Sequence, residues 1–268
     1  MTEEEDWSFS FFSIPRSSQE VKQFLEQTPT FDINQVGSYG WNPLNISSYM
    51  GCLESVSALL ALPQVDVNSQ SGDGCTPFGN SCYAGHIGIV EILLKDPRVD
   101  INISDNDNRT PLWWACKGGY FEIVKLIIAS GREIKDLDAV GFSGFCHYTA
   151  TAVATCNSHT GIASLLESFG KDKERVRHMV RVELGIPEAQ SAELFSLVIF
   201  LCDGLVRIGT VVGSDNQAAR FFSIAERLPI ELQMILCNRV AGLTKDSIPS
   251  KDSEPAFKHS ARVLSQIK

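Results

Sequence analysis

The chain lacks an excess of positive charge. Its 268 residues carry 23 Lys and Arg against 32 Asp and Glu, a formal net charge of -9, whereas a protein that grips nucleic acid must neutralise phosphates with a basic face. Nucleic acid is therefore not an expected partner. No secretory leader is expected either: "MTEEED" is acidic, and no basic region precedes the apolar residues of "WSFSFFSIP". The expected setting is cytoplasmic, with the nucleus also open to it, so the Asn-x-Ser/Thr matches at Asn45, Asn102 and Asn108 stay silent. The apolar stretch "ELFSLVIFLCDGLVRIGTVVG", Glu193 to Gly213, carries Asp203 and Arg207 near its middle. Each would cost about 2.5–3.5 kcal/mol at a bilayer centre. No membrane is expected as a partner, and the stretch reads as a buried helix covering one end of a repeat stack.

Chemistry-bearing patterns are also scarce. The eight cysteines form no C-x-x-C pair and no spacing that a disulfide or metal set would need, so they read as reduced, buried thiols. Cys146, His147, Cys156 and His159 make one Cys/His cluster, which is not read as a zinc site because four ligands would have to converge from an irregular loop. No Gly-rich phosphate loop and no nucleophile elbow occurs, and the acids Asp105 and Asp107 read as solvated loop residues. Neither a catalytic residue nor a cofactor or metal site is assigned. Binding is the function left.

What the chain does have is an internal period. "GWNPLNISSYMGCLESVSALLALPQVDVN", "GCTPFGNSCYAGHIGIVEILLKDPRVDIN" and "NRTPLWWACKGGYFEIVKLIIASG" superpose without gaps: Pro43, Pro77 and Pro111 are 34 residues apart, as are Gly51, Gly85 and Gly119, and Val56, Val90 and Val124. Asp32, Asp66 and Asp100, each followed by Ile or Val and then Asn, keep the same step. Each unit reads as two short helices. Thr110 caps the first and Pro111 opens it, where a missing N–H costs nothing; the glycine turns the chain into a second helix that is apolar on most of its surface. Helices this short are unstable alone, and the surplus apolar surface predicts an inter-repeat core.

At these residues the chain resembles the ankyrin repeat family, with its Thr-Pro-Leu helix start, glycine turn, Val-x-x-Leu-Leu second helix and Asp-Val-Asn hairpin entry. "LPQVDVN" and "DPRVDIN" hold one residue more than the commonest form, and Asn45, Gly79 and Trp113 stand where that family usually has histidine. The resemblance implies an all-α solenoid of helix-turn-helix units, with hairpin loops near 36–40, 70–74 and 104–108 and almost no sheet. Residues 1–16 read as an N-terminal extension without an assigned element, 17–170 as the array, and 171–268 as a C-terminal helical region. Ser17 to Asn34 matches only a second helix and hairpin entry, as a polar starting cap would. In the last unit Leu165-Leu166 follows Ile127-Ile128 by 38 residues, which places an insertion of four near "ATCNSH".

Carrying the family's contact columns onto this register implies a protein or peptide ligand on the concave face. The columns select Tyr39, Trp41, Tyr49, Asp73, Tyr83, Asp107, Arg109 and Lys117. Trp113 is open between contact and packing. Downstream, "LPIELQMIL" resembles the first helix of an F-box: Leu228 and Pro229 at a helix start near 226–242, then Leu232, Ile235, Leu236 and Val240 on one face. That resemblance implies docking to the adaptor of a cullin-RING ubiquitin ligase through Leu228, Pro229, Leu232 and Ile235. The competing reading is a helical cap on a scaffold with no ubiquitin link.

Overall fold

The computed structural model describes residues 10–37, 40–135, 137–143, 146–202, 225, 228–241, 243 and 247–266. The chain divides into two compact units, Met1–Gly170 and Lys171–Lys268.

The first unit is a stack of helix pairs. After α1 (Ser18–Gln27), three pairs follow in register: α2 (Pro43–Met50) with α3 (Leu53–Leu60), α4 (Pro77–Ala84) with α5 (Ile87–Lys95), and α6 (Pro111–Gly118) with α7 (Phe121–Ala129). A short ribbon of β1 (Gly141–Ser143) and β2 (Cys146–Tyr148) precedes α8 (Ala150–Cys156) and α9 (Thr160–Lys171). First helices pack on first helices, α2 on α4 on α6 on α8, and second helices on second helices, α1 on α3 on α5 on α7. This is the ankyrin-repeat solenoid expected from the sequence.

The period follows from capping chemistry. Asn42, Thr76 and Thr110 each accept a backbone N–H three residues on, from Asn45, Gly79 and Trp113, with a proline behind each cap. Each of α2, α4 and α6 ends at a left-handed glycine, Gly51, Gly85 or Gly119, with φ between 74° and 79°. The next unit's turn ring lies over these glycines: His86 over Gly51, Tyr120 over Gly85 and His159 over Gly119. His86 also bonds the Tyr49 carbonyl through Nε2 at 2.8 Å, so its role is structural.

The Asp-x-Asn signature has its own physical basis. Asp32, Asp66 and Asp100 each accept the N–H two residues on. The Asn at that position reaches the following unit: Asn34 Nδ2 donates to the Gln64 carbonyl and its Oδ1 accepts Asp66 N–H, both at 2.8 Å. Asn68 repeats this with Arg98 and Asp100, and Asn102 with Glu133 and Lys135. Between these bonds lies the core, with Leu44, Phe78 and Leu112 from first helices and Val56, Leu59, Val90, Leu93, Val124 and Ile128 from second helices.

Two details differ from the sequence reading, and one concerns a segment whose order it left open. Part of the extension at 1–16 is packed: Phe12 is fully buried against Phe24 and Phe31, and its carbonyl accepts the Ser47 hydroxyl at 3.3 Å. The aromatic cluster covers core that α1, with Val21 its one buried residue, leaves open. The insertion in the last unit is not near "ATCNSH": its cap Thr149 already stands 39 residues after Thr110, so the extra residues lie upstream. There they form the β1–β2 ribbon, paired antiparallel from Gly141 with Tyr148 to Ser143 with Cys146. Finally, the thiols are not uniformly buried. Cys52, Cys75, Cys82, Cys116 and Cys237 are, but Cys146 and Cys156 are exposed.

In the second unit, α10 (Lys173–Glu183), α11 (Pro187–Cys202), α12 (Ile230–Val240) and α13 (Ser250–Gln266) pack together, with α11 touching each of the other three. Ala192, Phe195, Val198, Ala225, Cys237, Ile248 and Ala256 form its core. Asp203, Arg207 and the rest of the apolar stretch beyond Cys202 lie outside the described residues. Among the described residues, no helix is long and apolar enough to cross a membrane.

Candidate functional site

The repeat geometry brings equivalent positions of successive units side by side. Trp41, Cys75 and Arg109 are one column, Ile46, Asn80 and Trp114 a second, and Tyr49, Tyr83 and Lys117 a third. Members of all three columns line a single cleft of about 400 Å³, with Met50 and Asp73. Five of the positions chosen by register therefore converge: Trp41, Tyr49, Asp73, Tyr83 and Arg109. Tyr39 lies outside the described residues.

An aromatic ladder runs through this cleft. The Trp41 ring meets Tyr49 edge-on, with centroids 5.1 Å apart and planes at 84°. Tyr49 stacks on Tyr83 at 5.9 Å and 16°, and Tyr83 meets Trp114 at 4.6 Å and 88°. Tyr83 is 44% exposed, so much of its ring is free to contact a ligand. Edge-to-face and offset-stacked pairs suit the ring quadrupole and hold these side chains in fixed orientations.

Beneath the ladder sits Asp105, which the sequence reading took for a solvated acid. It is buried, at 5% exposure. Its Oδ1 accepts the Asp107 and Arg109 N–H groups, and its Oδ2 accepts Arg109 Nε at 2.7 Å and Trp114 Nε1 at 3.1 Å. Arg109 spends a second arm on Asp107, Nη2 to Oδ2 at 2.7 Å, while its guanidinium lies 4.4 Å from the Trp114 ring. Lys117 Nζ lies 5.0 Å from Trp114 and 5.4 Å from Trp113. The buried carboxylate thus sets Trp114 and Arg109 together.

Trp113 leaves the contact set. It is 1% exposed, and its Nε1–H donates to the Tyr148 carbonyl at 2.9 Å, so it ties the third unit to the β ribbon and cannot reach a ligand. Its neighbour Trp114, passed over in the sequence, lines the cleft instead. The signal available was the column it shares with Ile46 and Asn80. Asn80 was also missed: its Nδ2 donates to Asn45 Oδ1 at 2.8 Å, part of a buried amide chain that starts at Asn42 and fixes the cleft floor.

The cysteines offer no reactive centre here. Burial, followed by the Asp73 and Asp105 carboxylates, pushes the Cys75 thiol up to about 12, and burial raises Cys82 and Cys116 as well. Of the Cys/His cluster, His147 packs on Phe142 at 4.3 Å and His159 on Gly119. Among the described residues no group of three or more His, Cys, Asp or Glu could hold a metal ion.

In the second unit, Pro229 stands at the N-cap of α12, one residue before the first helical position that the sequence reading gave it. Gln233, Cys237 and Asn238 point inward; Gln233 Nε2 donates to the Leu228 carbonyl at 2.9 Å and Asn238 Oδ1 accepts the Ser191 hydroxyl at 2.6 Å. Met234 and Leu236, both partly buried, pack against the core. Ile230, Leu232 and Val240 face solvent at 50%, 47% and 56% exposure. Leu228 and Ile235 are half-buried and Pro229 is exposed.

Comparison with curated proteins gives no match. Residues 61–139 match the family model described as ankyrin repeats, in 3 copies, which makes this stretch an ankyrin-repeat array and implies a module for protein–protein interaction.

Proposed function

We propose that the array binds a partner protein or peptide through the cleft lined by Trp41, Tyr49, Asp73, Tyr83, Arg109 and Trp114. One observation carries the reading: side chains from three successive units, most of them selected by the family's contact columns carried onto the register, converge on one aromatic cleft. Tyr, Trp and Arg dominate interface energetics because they bury much area at little entropic cost. Asp107 and Lys117 stand at its margin. Affinity capture with mass spectrometry on the full chain identifies the partner, and a Tyr49→Ala/Tyr83→Ala variant tests the site. Affinity should fall by about 2 kcal/mol or more. Unchanged affinity with a lowered melting temperature would mean that the tyrosines only pack. Arg109→Ala is a poorer probe, because it strands the buried Asp105 carboxylate.

A second reading concerns the tail. Pro229 at the helix start with Ile230 and Leu232 exposed beside it supports an F-box-like docking segment, through which the chain would deliver its partner to a cullin-RING ligase adaptor. The scaffold reading without this link predicts no adaptor capture. Pull-down by the adaptor, lost on Leu232→Asp, supports the link; failure of the intact chain to be captured removes it.

A further inference from the structure

Within the proposed binding cleft, on whose reading this step rests, we infer that the occupant is a cationic side chain, Arg or Lys, presented by the partner. The argument starts from ring orientation. Tyr49 and Tyr83 lie nearly parallel, at 16°, while Trp41 stands at 84° to the first and Trp114 at 88° to the second. All four rings line the cleft, and the planes of Trp41 and Trp114 stand close to a right angle to those of the tyrosines they meet, so ring faces and ring edges are both present. The faces of aromatic rings carry the negative lobe of the quadrupole and attract cations within about 6 Å. An apolar ligand would be served by rings in any orientation.

Charge points the same way. Asp73 is exposed at the cleft and its Oδ1 accepts the Ser71 hydroxyl at 2.5 Å, which leaves its second oxygen to meet a donor. Arg109 does not cancel it: two carboxylates, Asp105 and Asp107, each at 2.7 Å, already hold that one guanidinium. Counting Asp73, Asp105 and Asp107 against Arg109 and Lys117 leaves this end of the cleft net negative by one charge, in a protein whose net charge is -9. The molecule also shows what its own rings accept. Both the Arg109 guanidinium and the Lys117 ammonium rest within 5.0 Å of the Trp114 ring. An anionic or neutral apolar anchor would meet Asp73 unpaired.

The test is a library of otherwise randomised peptides whose central residue is fixed as Arg, Lys, trimethyllysine, Gln or Glu, bound to the purified full chain. Arg or Lys should exceed Gln and Glu on the order of tenfold, within the range of a desolvated cation–π contact supported by a carboxylate. Trimethyllysine keeps the charge without N–H donors and should retain binding through the rings. Asp73→Asn should reduce the preference for Arg over Gln, and Tyr49→Ala/Tyr83→Ala should abolish it. Preference for Glu or Gln, or no preference, overturns the cationic occupant; if such binding is still lost on the tyrosine changes, the cleft remains the binding site. Cation preference untouched by either variant, or no binding of any arm, overturns the inference.

Discussion

Trp114 donates its indole N–H to Asp105 Oδ2 at 3.1 Å, across nine residues of chain, and the same oxygen receives Arg109 Nε at 2.7 Å. One buried carboxylate thus closes the third hairpin and orients a cleft ring. Asp105→Ala should destabilise the array by about 3 kcal/mol, because it removes the acceptor for several donors and leaves Arg109 without its buried partner. Urea unfolding measures this. Near-ultraviolet circular dichroism should change too, as the Trp114 ring loses its anchor. A loss below about 1 kcal/mol would mean that water replaces the carboxylate.

Gly85 carries two burdens that substitution separates. Its φ is +79°, and a Cβ placed there would stand 2.6 Å from the Tyr120 ring of the next unit. Gly131, at φ +76°, has nothing within 4 Å. Gly131→Ala should therefore cost about 1 kcal/mol, the left-handed penalty alone. Gly85→Ala should cost more, since Tyr120 must also move, and Gly85→Val more again. Equal losses at the two glycines would show that the ring yields freely.

Asn68 couples neighbouring units through two bonds, Nδ2 to the Arg98 carbonyl and Asp100 N–H to its Oδ1, each 2.8 Å. Asn68→Ala should cost about 1 kcal/mol, because one bond is exposed and the other only part-buried. The loss should fall on the coupling between units, since solenoid stability depends on nearest-neighbour interfaces. Hydrogen exchange would then show faster opening at Asp100 than at α4 amides such as Cys82.

The stacked fold was legible in the sequence because its causes are local and periodic. Thr76 and Thr110 cap, Pro77 and Pro111 start, and Gly85 and Gly119 turn, each at a fixed step. Tyr49 and Tyr83 could be placed in one cleft for the same reason, since register alone makes them neighbours. Choosing between Trp113 and Trp114 was another matter. Adjacent residues on a helix point about 100° apart, and the outcome was set by the Tyr148 carbonyl and the Asp105 carboxylate. Asp105 itself looked solvated because hairpin acids usually are; its burial follows from the Trp114 ring that comes nine residues later. Along α12, an apolar period could not reveal that Gln233 bonds the Leu228 carbonyl or that Asn238 accepts the buried Ser191 hydroxyl.

The thiols give the array a pH limit. Burial raises the Cys75 and Cys116 thiols to about 12 and raises Cys82 as well. Above about pH 9 the unfolded chain sheds these protons while the folded chain keeps them, so stability is whole below that pH and falls as pH rises towards 12. Each such thiol contributes a slope of about 1.4 kcal/mol per pH unit. Denaturant midpoints between pH 8 and 10.5 should fall, and less so after Cys116→Ala. At pH 8, iodoacetamide should label exposed Cys146 and Cys156 first, with Cys82 and Cys116 reacting only on unfolding.

Trp113 and Tyr83 should answer to opposite assays. Trp113 is 1% exposed and held by Tyr148, so Trp113→Ala should cost about 3–5 kcal/mol through the cavity it leaves and the carbonyl it strands. Its effect on partner affinity should vanish once measured on the folded fraction. Tyr83 is 44% exposed and packs on two rings, Tyr49 at 5.9 Å and Trp114 at 4.6 Å. Tyr83→Ala should therefore lower stability by about 1 kcal/mol or less, the worth of an aromatic pair, while reducing affinity by about 2 kcal/mol if it is an anchor. Titration of the identified partner against both variants, beside urea unfolding of each, gives the comparison. The assignment fails if Trp113→Ala weakens binding at full folding while Tyr83→Ala does not, because the contact surface would then run along the β1–β2 ribbon rather than through the cleft.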